Sequence, residues 1–228
     1  MKTVYANLIG RFGNQLFIYA HTRDYCERNG YELITGPWDG EKVFDMPRTR
    51  RLHPNDCDEV KRGYFQDQKS ITYSRAKVRE WFKFNVGILQ SWHDFESNAL
   101  LAHRRVGDYP GTGFPVVSEQ SYLNACRQFD LPVEQLRFMT EENPTFHPGF
   151  RKDCQYLPDF IRMMKCQTLL RGNSTFSWWA AALGTCRVFA PIIKGLPGGR
   201  THDCLFVEGN WPACADFDFV TDLYLPEI

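Results

Sequence analysis

A short apolar run, Gln167 to Leu170, ends in Gly172-Asn173-Ser174-Thr175 and passes at once into Phe176-Ser177-Trp178-Trp179-Ala180-Ala181-Ala182-Leu183-Gly184. The first part reads as a buried strand and the second as a helix with almost no polar face. Such a helix must be covered by other structure, which points to a layered α/β fold. The polar loop between the two admits two readings. Ser174 or Thr175 is an ordinary N-cap on a core helix. Alternatively, the free N–H groups and the helix dipole make the loop an anion site, suited to phosphate. Both stand on these residues alone.

Strand–helix alternation extends over much of the chain. Thr3 to Ile9 reads as a strand, Gly10 to Gln15 as a turn, Leu16 to Arg28 as a helix closed by Asn29-Gly30, and Tyr31 to Thr35 as a strand. This is a β-α-β unit, which predicts a parallel sheet. Residues 36–98 show no assignable pattern. Leu100 to Val106 reads as a strand, Ser118 to Gln128 as a helix with Ser118 at its N-cap, and Leu136 to Thr140 as a strand. Pro158 to Lys165 follows as a helix and Val188 to Ala190 as a last strand, with irregular surface structure expected after Pro191. The expected division is an N-terminal half, 1–98, and a C-terminal half, 99–228.

Charge narrows the function. The 228 residues carry 27 basic and 27 acidic side chains, and this balance disfavours nucleic acid as a partner. No apolar run approaches the ~20 residues of a membrane span. The opening segment runs straight into a strand and is too short for a signal peptide, which predicts a cytoplasmic protein. The eight cysteines stand singly, without a C-x-x-C pair, and read as reduced thiols. His202, Cys204 and Cys214 fit no zinc spacing. The P-loop pattern G-x-x-x-x-G-K-[ST] is absent.

Two further motifs carry chemistry. In Gly10-Arg11-Phe12-Gly13-Asn14-Gln15 the glycines allow a tight turn and close approach of a ligand, followed by two amides. In His103-Arg104-Arg105-Val106-Gly107-Asp108-Tyr109, strand alternation puts His103 and Arg105 on one face and Arg104 on the other. An Arg fork at a strand's C-terminal end can hold two oxygens of a diphosphate. The plainer alternative pairs Arg105 with Asp108 within a surface turn.

Together these three motifs resemble the GDP-fucose-dependent fucosyltransferases, most closely the α-1,2-fucosyltransferase family. The family's early Gly-rich turn is matched by Gly10 to Gln15. Its central H-x-R-R-G-D-Y motif is matched by His103, Arg105, Gly107, Asp108 and Tyr109, with Val106 in place of the second Arg. Its late N-S-S/T-F-S-W-W-A-A motif is matched by Asn173 to Ala181. Phe138 to Glu142 looks like the family's F-x-S-D-D strand end, and Pro158-Asp159-Phe160 like its acidic helix start. The Gly-Arg-Phe-Gly-Asn-Gln form is also similar to protein O-fucosyltransferases.

The resemblance implies a GT-B-like architecture, two Rossmann-like halves facing a cleft with the N-terminal half reduced. It implies inverting transfer of L-fucose from GDP-fucose to a glycan hydroxyl, through an α-1,2 linkage, without a metal or other cofactor. Arg105 is then the charge that stabilises the leaving diphosphate, and Asn14 contacts the departing phosphate and fucose. Gly10, Arg11, Phe12, Gly13, His103, Thr140, Glu141, Asp159, Asn173, Ser174, Thr175, Phe176 and Ser177 are the remaining expected substrate contacts, with Asp159 on guanine. Whether the reaction uses a general base is open; the candidates are Asp108, which alternatively holds its loop, and Asp39, Asp94 and Glu96. Trp92 and His93 either line an acceptor pocket or belong to a local core.

Overall fold

The structure is a computed structural model and describes residues 1–47, 49–109, 114–196, 200–203, 205 and 214–221. Two compact units divide between Gln90 and Ser91.

The first unit is a parallel three-stranded sheet with helices. Strand β1 (Thr3–Ala6) leads into helix α1 (Phe12–Asn29) and strand β2 (Glu32–Thr35). After the short α2 (Gly40–Val43) come β3 (Glu59–Lys61), α3 (Arg75–Trp81) and α4 (Val86–Gln90). The sheet order is β2-β1-β3, both pairings parallel. Helix α1 ends at Gly30, whose φ of 65° is the left-handed conformation that glycine supplies cheaply. It starts at Phe12, so Gly13, Asn14 and Gln15 lie in its first turn and the expected six-residue turn is shorter. Phe12 is 4% exposed and packs on Phe44 at 6.0 Å, so its ring belongs to the core. In β3, one apolar residue stands between two charges, a strand with no hydrophobic run to announce it.

The second unit is a larger α/β layer. Strand β4 (Leu100–His103) is followed by β5 (Val116–Val117), α5 (Glu119–Gln128) and β6 (Leu136–Met139). Then come α6 (Leu157–Lys165), β7 (Thr168–Leu170), α7 (Thr175–Leu183) and β8 (Arg187–Leu196). Next among the described residues come β9 (Arg200–Asp203), β10 (Cys214–Ala215) and β11 (Asp218–Thr221). The main sheet runs β11-β8-β7-β4-β6, with β9 also paired to β8, and β5 pairs with β10 apart from it. Pairings among β6, β4, β7 and β8 are parallel, while β9 and β11 add antiparallel edges. Leu100, Ala102, Leu170 and Phe189 meet Tyr122, Ala125 and Cys126 of α5 in one buried cluster. Leu101, Leu169 and Val188, of opposite parity, are buried towards the other face. Helix α7 buries seven of its nine residues, as its composition demands.

The structure overturns the expectation of irregular surface after Pro191. β8 continues through that residue, which sits opposite Phe219 of β11, and β9 to β11 follow. Beyond Phe189 the strand has left its parallel partner β7, so a residue without an N–H costs the sheet little there. The same unit holds Asp94 and Glu96, expected on the acceptor side, and Trp92, for which an acceptor pocket and a local core were both open. Lys165 donates to the carbonyls of Trp92 and Phe95, Asp94 pairs with His147 at 3.1 Å, and Glu96 with Arg137 at 3.0 Å. These groups gather near the start of β4, at the opposite end of that strand from Arg105. No helix among the described residues is long and apolar enough to cross a membrane.

One buried carboxylate ties the first unit together. Asp24 on α1 accepts from Thr72 Oγ1 at 2.6 Å and Lys77 Nζ at 3.0 Å, and pairs with Arg28 at 2.9 Å. Burial raises its pKa, but the Thr72 and Lys77 hydrogen bonds and the two cations outweigh that and hold it below the usual value. A folded pKa below the unfolded one stabilises the native state above the unfolded value, and the gain is lost as pH falls through the folded value. Asp24→Asn is therefore expected to destabilise by about 1–3 kcal/mol at pH 7, since Lys77 and Arg28 can rehydrate. Chemical denaturation should show this gap to wild type narrowing below about pH 4; a gap independent of pH would refute the assignment.

Candidate functional site

In the second unit the chain order is β4, β6, β7, β8, while the spatial order is β6-β4-β7-β8. The winding therefore reverses between β4 and β7. Open α/β sheets leave a crevice beyond the carboxyl ends of the strands at such a reversal. The segments that leave those two ends are His103 to Tyr109 and Arg171 to Phe176.

Their approach is close. An added Cβ at Gly172 would stand 2.7 Å from the His103 carbonyl oxygen and 3.6 Å from His103 Nδ1, so only glycine fits. Tyr122 donates to the same carbonyl at 2.7 Å. Tyr109 Oη donates to the Asn173 carbonyl at 2.8 Å, and the Arg105 guanidinium lies over the Tyr109 ring at 5.7 Å. Arg105 and the polar loop are thus joined through one tyrosine. The His103 ring lies 6.1 Å from Phe176, which also meets Phe160 of α6 at 5.1 Å and Tyr156, at the N-cap of that helix, at 6.3 Å.

For Arg105 and for the Ser174 loop, the contacts within the protein are those of the plainer readings, an ion pair with Asp108 and a helix cap. Arg105 Nη2 pairs with Asp108 at 2.8 Å, and its Nε lies 2.5 Å from Glu141. Glu141 also accepts from the Val106 N–H at 3.1 Å, which fixes the turn after β4. The expected strand through Val106 stops at His103, so Arg104 and Arg105 lie in the turn beyond it, and Arg104 pairs with Glu119 at 3.0 Å. Ser174 is the N-cap of α7, accepting from the Phe176 N–H at 3.3 Å. Ser177 is fully buried and donates inward, to the carbonyls of Gly172 at 3.4 Å and Ser174 at 3.2 Å. Its hydroxyl therefore serves the loop and is not offered outward.

Two buried polar atoms face this loop without a protein partner. They are His103 Nδ1 and Asn173 Oδ1, although Asn173 Nδ2 donates to the Pro115 carbonyl at 2.8 Å. Burial pulls the His103 pKa down to about 4, with Arg105 adding to that and Glu141 opposing it. The ring is neutral at pH 7, so the cationic charge here comes from Arg105. Thr140 follows β6 directly, and its carbonyl accepts from the Asn143 N–H at 3.3 Å. At the start of α6, burial raises the Asp159 pKa against the Thr145 hydrogen bonds and Arg162. Asp159 accepts from the Thr145 N–H at 3.2 Å.

The first unit repeats the pattern on a smaller scale. Its order β2-β1-β3 also reverses, between β1 and β3. Gly10, with φ 79°, leaves β1 there, and a Cβ on it would stand 2.7 Å from Asn14 Nδ2 and 3.2 Å from the Tyr64 ring. Gln66 Nε2 donates to Asn14 Oδ1 at 3.0 Å, and Gln15 Nε2 to the Gly10 carbonyl at 3.1 Å. The exposed Arg11 occupies the N-cap of α1 and Gly13 is buried in the first turn. Asp39 donates its N–H to Gln15 Oε1 at 3.2 Å and pairs with Lys42 at 3.1 Å.

Sequence reasoning missed Tyr64 and Gln66, which lie just past β3, and the fully buried pair of Arg171 and Asp203. A lone cation ending the apolar run Thr168-Leu169-Leu170 was a usable signal, because a buried Arg requires a partner. The six cysteines whose state is described, 26, 57, 126, 154, 166 and 186, are free thiols, while Cys204 and the loop 110–113 lie outside the described residues. Among the described residues no three His, Cys, Asp or Glu side chains cluster as a metal site.

No protein-family model matches the chain. It is 26% identical over 164 residues to the O-antigen biosynthesis glycosyltransferase WbnK of Escherichia coli, covering 58% of this chain and 54% of that protein. The chain thus matches about half the length of that curated relative. The similarity is to a glycosyltransferase, and it is distant.

Proposed function

We propose that this chain is an inverting glycosyltransferase that moves L-fucose from GDP-fucose to a hydroxyl of a glycan acceptor, through an α-1,2 linkage. The observation that carries the proposal is the convergence of Arg105 and the Asn173–Phe176 loop at the β4/β7 reversal, bridged by Tyr109. The likeness to an O-antigen glycosyltransferase supports the reaction class. The motifs shared with fucosyltransferases supply the donor and the linkage.

The chemistry follows from charge. As GDP leaves, negative charge grows on the β-phosphate while the sugar becomes cationic. A fixed cation at the phosphate then lowers the barrier more than it stabilises the ground state. Arg105 supplies that cation, with Ser174, Thr175 and the start of α7 completing the anion cradle. The neutral His103 and Asn173 offer polar atoms to the nucleotide, and Asp159 accepts from guanine N–H groups. The reaction uses no metal ion, because the guanidinium fork does that work.

A second reading, a GDP- or glycan-binding protein without transfer, is favoured by the carboxylates of Asp108 and Glu141 that neutralise Arg105. Transferase and binder are separated by following GDP release from GDP-fucose, with EDTA present, against galactosides, fucosides, xylosides and peptides. Acceptor-dependent release is expected; binding without release favours the binder. Release from another GDP-sugar in preference to GDP-fucose would change the donor.

Three outcomes test the site. Arg105→Ala is expected to lower turnover about 10²–10³-fold, with Arg105→Lys nearly as poor because an ammonium lacks the fork. Unchanged turnover in either would remove Arg105 from the chemistry. In thermal melts, GDP at about 100 times its Kd should stabilise by ~2.7 kcal/mol, a shift of several degrees that GMP, UDP and ADP do not match. Gly172→Ala should cost about 1–3 kcal/mol through its clash with the His103 carbonyl. It should also weaken GDP binding, and normal affinity in a folded Gly172→Ala protein would place the nucleotide elsewhere.

A further inference from the structure

Directly before the polar loop stands a charge that the proposed reaction does not use. Arg171 directly follows β7 and is fully buried, and its Nη2 pairs with the equally buried Asp203 of β9. Asp203 is itself held, its Oδ1 accepting from the Leu205 N–H at 2.9 Å. Arg171 Nη1 reaches back to the Gly172 carbonyl at 3.3 Å, where Ser177 Oγ also donates at 3.4 Å. Two donors thus hold this carbonyl towards the interior.

The orientation of one peptide plane follows. The bond is trans, as are all those described, and the C=O and N–H of a trans peptide point in opposite directions. Drawing the Gly172 carbonyl inward turns the Asn173 N–H away from Arg171. Beyond it, Tyr109 holds the Asn173 carbonyl and Pro115 the Asn173 amide. The guanidinium therefore governs the first peptide of the loop, and its fork is needed because one arm takes Asp203 and the other Gly172. A buried ion pair is a costly way to gain stability, since an apolar pair of similar volume often serves as well.

We propose that Arg171 and Asp203 are a positioning pair that sets the Gly172–Asn173 peptide in its anion-binding orientation, coupling the antiparallel β8–β9 pair to donor binding. The proposal rests on the donor-loop reading above for its ligand. Arg171→Met and Asp203→Leu should each lower the melting temperature, and the double variant should recover most of it. Despite that recovery, the double variant should bind GDP about 10²-fold more weakly. Its Asn173 and Ser174 amides should exchange hydrogen faster than in wild type. Arg171→Lys keeps the buried charge paired yet lacks the fork, and should show the same two defects in a folded protein, with KM for the donor rising more than kcat falls.

Wild-type affinity and exchange in either the double variant or Arg171→Lys would overturn the proposal. If wild type binds neither GDP nor inorganic pyrophosphate, the transferase reading falls. Amide exchange in the free protein then still decides whether the pair positions the loop.

Discussion

The parallel pairing of β4 with β7 is the contact on which the rest of the second unit depends. Its register, Leu100 with Thr168 through Ala102 with Leu170, brings the ends of both strands level. The chain then leaves one strand as His103 and the other as Arg171, at the same edge of the sheet. Because the winding reverses between them, the helices depart in different directions and leave that edge uncovered. Gly172 closes the remaining gap by omitting a side chain, and Tyr109 spans it with a hydroxyl. Chemistry-bearing residues separated by about seventy positions become neighbours through backbone pairing alone.

The two units share a plan at different sizes. Each places a strand first in sequence between its second and third neighbours, and each uses a glycine just beyond a reversal. Gly10 lies against Asn14 and Tyr64, and Gly172 against His103 and Tyr122. In both, an amide-bearing side chain next to the glycine is oriented by a neighbour, Gln66 for Asn14 and the Pro115 carbonyl for Asn173. Asn173 is buried and Asn14 half-buried, and in both a hydrogen bond fixes how the amide points.

Much of this was legible in the sequence where a pattern had a local cause. Ser118 caps the helix it was expected to cap, Ser174 takes the cap that was open between it and Thr175, and Gly30 ends α1 in the left-handed conformation. The His103–Tyr109 and Asn173–Ser177 segments were expected at strand ends and lie there. What escaped notice depends on distant partners. Glu59–Lys61 is a strand because β1 offers it an edge and because Lys2 and Lys61 satisfy Glu59. Asp24 and Arg171 gave no sign of their partners, Thr72, Lys77 and Asp203, since side-chain pairing leaves no periodic trace. The inward turn of the Ser177 hydroxyl was likewise decided by the Gly172 carbonyl beneath it.

The pairing of Arg105 with Asp108 and Glu141 has a further consequence for selectivity. A cation already matched by two carboxylates presents an incoming anion with a competition rather than a vacancy. A single weak negative charge gains little by displacing them, whereas a group with several oxygens can take both arms of the fork at once. On the proposed reading the resting pair acts as a threshold, favouring a diphosphate over smaller anions.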